Sequence, residues 1–115
     1  MIQCKRVYEP VGADDGYRIL VDRLWPRGIK KADLVCDEWC KAIAPSTDLR
    51  KIFHSGVVDF AHFNQQYRQE LKDNPEVHRL AEIARTRTLT LLYGARNTTQ
   101  NHAEVLADVL RSYPL

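Results

Sequence analysis

Apolar and polar positions change period along this chain, and the changes divide it into elements. Residues 2–8 are short and moderately apolar and read as a first strand. A second strand covers residues 17–22, where Ile19-Leu20-Val21 is a continuous apolar run suited to burial on both faces. Between them, residues 9–16 carry Pro10, Gly12, Asp14, Asp15 and Gly16, the punctuation of a turn-rich loop. Regular structure stops after Asp22, because Pro26 and Gly28 follow closely. Helical spacing then takes over. Residues 37–43 are expected to form a short helix carrying Trp39, broken by Ala44-Pro45-Ser46. Thr47 is expected to cap the next helix, with Asp48 in its first turn and Leu49, Ile52 and Phe53 facing inward. Beyond Ser55-Gly56, a longer helix shows the stripe Phe60, Phe63, Tyr67, Leu71. Asn74-Pro75 marks another start, Asn as cap and Pro at the first helical position, with Val77, Leu80, Ala81 and Ala84 inward. Residues 88–93 form the last strand, ended by Gly94, and a polar loop leads to a final helix with Val105, Leu106, Val109, Leu110 and Tyr113 on one face.

This order predicts one α/β domain over residues 1–115: a small, mostly parallel sheet of about three or four strands, flanked by helices in a Rossmann-like three-layer arrangement. The strands at 17–22 and 88–93 are separated by helices, which favours parallel pairing. The loop at 9–16 is shorter than the dozen or so residues usual for a parallel crossover, so the first strand is expected to be antiparallel or to lie at an edge.

If the two longer-separated strands are parallel, their C-terminal ends share one edge of the sheet, where ligands of open α/β sheets bind. One strand then delivers Asp22, Arg23, Trp25 and Arg27 to that edge. The other delivers Tyr93, Arg96 and Asn97, followed by Asn101 and His102. His102 precedes Val105 and Leu106 by three and four residues, in line with the buried stripe, and lies in the first turn, where Thr98 or Thr99 is the expected cap. The positive end of the helix dipole disfavours a protonated histidine there, so a mostly neutral imidazole is expected, able to act as base, donor or ligand. Guanidinium groups grip carboxylate or phosphate bidentately, which makes Arg23 and Arg27 the expected anion holders. Asp22 would orient an arginine or the histidine, Asn97, Asn101 and Tyr93 would position the ligand, and Trp25 would flank it. Each has a structural alternative. The arginines can pair with Asp22, Asp33 or Glu38, Trp25 can pack, His102 can bond a carbonyl, and the amides can serve as caps.

The expected function is a pocket for an anionic small molecule or nucleotide, with His102 and Asp22 as the catalytic candidates if it is an enzyme. The alternative is a non-catalytic regulatory module for nucleotides or nucleic acid. Composition narrows the partner. A net charge of +2 over 115 residues is nearly balanced and does not favour nucleic acid as the partner over an anionic small molecule or nucleotide. No stretch approaches the ~20 apolar residues of a membrane span, and no apolar leader follows the first charges, so no membrane partner is expected. An odd count of cysteines, Cys4, Cys36 and Cys40, suits reduced thiols and a cytoplasmic location. Cys36 and Cys40 lack the two-residue spacing of a metal knuckle, Gly28 and Gly94 build no phosphate-cradling loop, and no serine sits in a nucleophile elbow. No metal site or cofactor is assigned on these grounds.

Four segments match a known pattern in order and spacing: Leu20-Val21-Asp22-Arg23-Leu24-Trp25-Pro26-Arg27-Gly28, Ala44-Pro45-Ser46, Leu91-Leu92-Tyr93, and Asn97-Thr98-Thr99-Gln100-Asn101-His102-Ala103. The chain resembles the YeaO-like group of the domain-of-unknown-function 488 family over essentially its whole length. The resemblance implies an α/β domain and no established reaction. Related branches carry Cys-His-Arg where this chain has Asn101-His102-Ala103, so only His102 carries over and no thiol chemistry is implied.

Overall fold

In the computed structural model, which describes Met1–Leu115, four strands lie in the order β1-β4-β2-β3, and every pairing is parallel. They are β1 (Ile2–Arg6), β2 (Tyr17–Leu20), β3 (Glu38–Trp39) and β4 (Leu89–Tyr93). β4 takes an inner position, where all five of its residues are buried, as the run Leu89-Thr90-Leu91-Leu92-Tyr93 suggests. β1 is half-buried throughout and lies at an edge. The α/β class and parallel sheet are therefore as expected.

Of the two alternatives for the first strand, the edge position is correct and the antiparallel direction is not. Strands of four and five residues are only about 13–17 Å long, so residues 7–16 can return along the sheet without a helix. Asp15 fastens that return, accepting from Lys5 Nζ at 3.1 Å, Gln3 Nε2 at 3.1 Å and Gly12 N at 3.0 Å, and pairing with Arg18. The open side of β1 is partly closed by its own chain: Glu9 accepts from Arg6 N at 2.6 Å, and Arg111 donates to the Ile2 carbonyl at 2.9 Å.

The helices are α1 (Thr47–His54), α2 (Phe60–Lys72), α3 (Glu76–Thr86) and α4 (His102–Arg111). They pack with Ile19, Val21, Leu89, Leu91 and Tyr93 into the main core. The expected stripe of α2 is present, with Phe63, Tyr67 and Leu71 buried, and Asp59 caps it by accepting from His62 N at 2.9 Å. α3 starts at Glu76, one residue later than expected, with Pro75 in the cap position; Asn74 still serves its first turn, Oδ1 accepting from Glu76 N at 3.0 Å. The cap of α1 is Ser46, one residue before the expected Thr47; its Oγ accepts from Leu49 N at 3.2 Å and donates to Glu70 at 2.6 Å.

The expected helix at 37–43 does not form. Glu38 and Trp39 pair with Ile19 and Leu20 as β3, and only a 3-10 turn follows at Lys41–Ile43. Seven residues make a marginal helix alone, whereas here the backbone gains bonds on β2, with Asp37 N donating to Arg18 O at 2.7 Å and Cys40 N to Leu20 O at 2.9 Å. The layer on the second face of the sheet is consequently irregular. Val7, Leu20, Leu34 and Leu92 are buried there, backed by Trp25, Ile29, Cys36 and Trp39, with one 3-10 turn at Lys31–Asp33.

Tyr67 joins the helical layer to the loop before α1. Its side chain is fully buried, and its hydroxyl donates to the Ile43 carbonyl at 2.6 Å. Tyr67→Phe keeps the ring but orphans that carbonyl, and is expected to lower stability by about 1–2 kcal/mol. Urea denaturation with an unchanged slope would register this; an unshifted midpoint would mean that the bond contributes nothing. No helix is long and apolar enough to cross a membrane.

Candidate functional site at the carboxyl edge of the sheet

Because all four strands point the same way, their carboxyl ends meet at one edge. β2 continues through Val21 into Asp22 and Arg23, β4 passes into Gly94, and α4 begins beside them at His102. Asp22 joins the three. Its Oδ2 accepts from Gly94 N at 2.9 Å, its Oδ1 lies 2.8 Å from His102 Nε2, and its carbonyl accepts from Trp39 Nε1 at 2.7 Å. A side chain on Gly94 would crowd this carboxylate, with Cβ 3.0 Å from Oδ2. The two segments singled out in the sequence thus face each other directly. The Asp22–His102 contact is close but not aligned: neither Oδ1 nor Nε2 makes a hydrogen bond, and both atoms are shut off from solvent. Each side chain is 15% exposed.

The guanidinium of Arg23 turns toward the loop before α1, donating to Pro45 O at 3.1 Å and Ala44 O at 3.4 Å. Arg6, which closes β1, donates to Ala95 O at 2.8 Å and Gly94 O at 3.4 Å. Arg27 and Arg96 are exposed. None of these four is paired with a carboxylate, so the ion-pair alternative for Arg23 and Arg27 does not apply; Glu38 is held instead by Arg79 and Tyr17. Elsewhere in the molecule, Arg18, Arg68, Arg79 and Arg111 have carboxylate partners, while Arg50, Arg85 and Arg87 have none but are scattered over α1 and the end of α3. Arg6 was overlooked in the sequence because the direction of β1 was open; a parallel β1 puts its last residue at this edge.

The remaining residues divide differently. Trp25 packs edge-on against Trp39, with ring centroids 5.2 Å apart, and its Nε1 donates to Ile29 O at 2.7 Å. Tyr93 is buried in the main core, where burial raises its phenol pKa. Asn101, rather than Thr98 or Thr99, caps α4: its Oδ1 accepts from Glu104 N at 3.0 Å while its Nδ2 donates to Asn97 O at 2.9 Å. Asn97 holds the loop, its Oδ1 accepting from Thr99 N at 3.0 Å and Gln100 N at 2.9 Å. Asn adjacent to the first helical residue reaches the orphan N–H groups of the first turn, which Thr98 and Thr99 are too far back to do.

Over residues 1–113 the chain matches the family described as the inactive DUF488-N3 subclade. The chain belongs to this subclade. It is 67% identical over 112 residues to the uncharacterised protein YeaO of Escherichia coli, which covers 96% of this chain and 97% of that one. It is 38% identical over 109 residues to uncharacterised proteins of Mycobacterium tuberculosis and Mycobacterium bovis, covering 95% of this chain and 92% of each. No solved structure matches.

In this member of the subclade the thiols are unsuited to nucleophilic work at neutral pH. Burial, with Glu104 nearby, pushes Cys4 up to about 12, and burial also raises Cys36 and Cys40. Glu38, Cys40 and Glu76 converge with ligand atoms within 4.8 Å of one another, but the cation among them is the Arg79 guanidinium, which donates to Glu38 Oε1 at 2.9 Å and to Glu76 at 2.7 Å. Two surface grooves are the main openings. One, of about 610 Å³, lies between α2–α3 and the end of α4; the other, of about 390 Å³, lies between residues 7–11 and 28–35. Neither is lined by Asp22 or His102, although the second adjoins the carboxyl edge through Tyr8, whose hydroxyl donates to Arg27 O at 2.8 Å.

Proposed function

We propose that this chain binds a small anionic molecule, carrying phosphate or carboxylate, at the carboxyl edge of its sheet, and that it does so as a binding module rather than as a catalyst. One observation carries the reading: Arg6, Arg23, Arg27 and Arg96, brought to one edge by the ends of β1, β2 and β4, have no carboxylate partner. A guanidinium left with only backbone carbonyls keeps its full charge and its preference for oxyanions. Asp22, the acid at the centre of the edge, already accepts from Gly94 N, and its other oxygen faces His102 closed to solvent. The non-catalytic half of the reading is supported by the description of the subclade as inactive and by the Asp22–His102 pair, whose facing atoms are closed to solvent. In this reading Asp22 and His102 hold β2 and α4 together, and Arg6, Arg23 and Arg27 hold the ligand.

Calorimetric titration with inorganic phosphate, nucleotides and dicarboxylates tests this. At least one class should bind, and Arg23→Ala or Arg6→Ala should weaken it by about tenfold to a hundredfold, the value of a charge-assisted hydrogen bond. Failure of every anion to bind, or equal binding by both variants, would sink the reading. Affinity for a DNA or RNA duplex that falls steeply with salt would instead make nucleic acid the ligand.

A further inference from the structure

The groove between residues 7–11 and 28–35 adjoins the guanidinium edge and differs from it in chemistry. Its first wall carries Tyr8 and Val11, and its second carries Asp33 and Val35. Tyr8, Val11 and Val35 are 49%, 52% and 57% exposed, so three of the eight large apolar residues left open to solvent surround this one depression. Scattered exposure of such residues is ordinary, whereas concentration around a groove is the pattern of a binding surface. The groove volume, about 390 Å³, is within the range that takes a small organic ligand.

Two details restrict what the groove accepts. Tyr8 is half exposed yet held on two sides: the Arg6 guanidinium lies 4.8 Å from its ring centroid, and its hydroxyl is fastened to the Arg27 carbonyl. An aromatic ring fixed before binding loses little freedom on contact and offers a stacking surface for another flat ring. Asp33 supplies the second detail. Its carboxylate makes no hydrogen bond or ion pair, while the other two charged groups in the depression are engaged: Arg18 is buried and bonded to Asp15 and to the Val35 carbonyl, and Glu9 accepts from Arg6 N. A free carboxylate on an apolar wall repels an acidic ring and favours one that carries N–H donors.

Resting on the anion-binding reading, we infer that the ligand is a nucleotide. Its phosphate lies toward Arg6 and Arg27, and its base lies in the groove on Tyr8 with N–H groups toward Asp33. Guanine fits this arrangement best, because it presents two adjacent N–H donors to one carboxylate, the mirror of a bidentate arginine contact. Both chemistries meet at Tyr8, which lines the groove, carries the Arg6 guanidinium over its ring and bonds the backbone carbonyl of Arg27.

Titration of the full chain with inorganic phosphate, guanosine monophosphate, inosine monophosphate and uridine monophosphate tests both levels separately. Guanosine monophosphate should bind at least about tenfold more tightly than inorganic phosphate, the scale of one base stacked on an aromatic ring, and more tightly than inosine monophosphate, which lacks the exocyclic amine. Asp33→Asn, an exposed and unbonded position, should erase most of the difference between guanosine and inosine nucleotides while leaving phosphate binding unchanged. Tyr8→Ala should reduce the advantage of every nucleotide over phosphate. Phosphate bound as tightly as all three nucleotides, or a guanosine preference untouched in Asp33→Asn, overturns this inference and leaves the anion site standing. Absence of any binding by phosphate or nucleotide overturns both.

Discussion

Replacing Asp15 with alanine is expected to cost this fold about 3 kcal/mol or more, the scale of removing one partner from a buried ion pair. Asp15 is 3% exposed, and Arg18 beside it is 4% exposed. Its carboxylate takes hydrogen bonds from Gln3, Lys5, Gly12 and Arg18, which come from β1, β2 and the loop between them. Without it Arg18 keeps its bond to Val35 O but loses its counter-ion while remaining almost wholly buried. Lys5, 19% exposed, can regain solvent more readily, which keeps the expectation at the lower end of the range for buried pairs. Chemical denaturation of the variant at neutral pH checks the size of the loss; a change under about 1 kcal/mol would place Asp15 among surface charges.

The same residue sets a pH dependence of known sign. Burial alone would raise its pKa, but donation from Gly12, Lys5 and Arg18 outweighs burial and holds the carboxyl below its ordinary value. A lowered folded pKa means that the stabilisation is complete above the unfolded value, about 4, and drains away as pH falls through the lower, folded one. The native chain should therefore lose stability below about pH 4, and Asp15→Asn should flatten that part of the curve. A native curve no steeper in acid than that of the variant would contradict this assignment.

Gly16→Ala is the second large effect, expected at about 3 kcal/mol or more. Gly16 has φ of +62°, a conformation that costs about 1–2 kcal/mol for a residue with Cβ. Space makes the matter worse: an added Cβ would lie 2.2 Å from the Thr88 carbonyl oxygen and 2.9 Å from its carbonyl carbon. That oxygen accepts from Tyr17 N at 2.9 Å, so moving it away strains or breaks the bond that leads β2 onto β4. Gly28 and Gly56 provide the comparison. Their φ values are +77° and +80°, but a Cβ on either meets nothing within 4 Å. Alanine at those two should show the backbone cost alone, and equal losses at all three glycines would mean that the approach to Thr88 is immaterial.

Asp15 and Gly16 also show why the reading of the sequence stopped where it did. Residues 9–16 were legible as a turn-rich loop, since Pro, Gly and Asp act locally through backbone geometry and short hydrogen bonds. Nothing local reveals that the loop carries β1 into parallel alignment, because the partners of Asp15 lie in different strands. Trp39 gives the opposite error. Its surroundings have helical spacing, yet the unpaired side of β2 offered residues 38–39 more than a short helix could. At the carboxyl edge, Asp22 and His102 could be placed near each other from strand direction alone. That His102 faces Asp22 while the guanidinium of Arg23 turns to Ala44 and Pro45 depends on side-chain directions set by packing.

By itself the amino-acid order determined what is local or periodic. It specified the apolar runs of β2 and β4, the stripe of α2, the Asn74 start of α3, and thereby the α/β class and the shared edge. The tertiary structure decided everything that depends on residues far apart meeting: the direction of β1, the existence of β3, the irregular layer on the second face, and the arrival of Arg6 at the carboxyl edge. The physical reason is that propensities and caps act within a few residues, whereas strand partners and buried charges are chosen by competition among distant groups for the same hydrogen bonds and the same dry space.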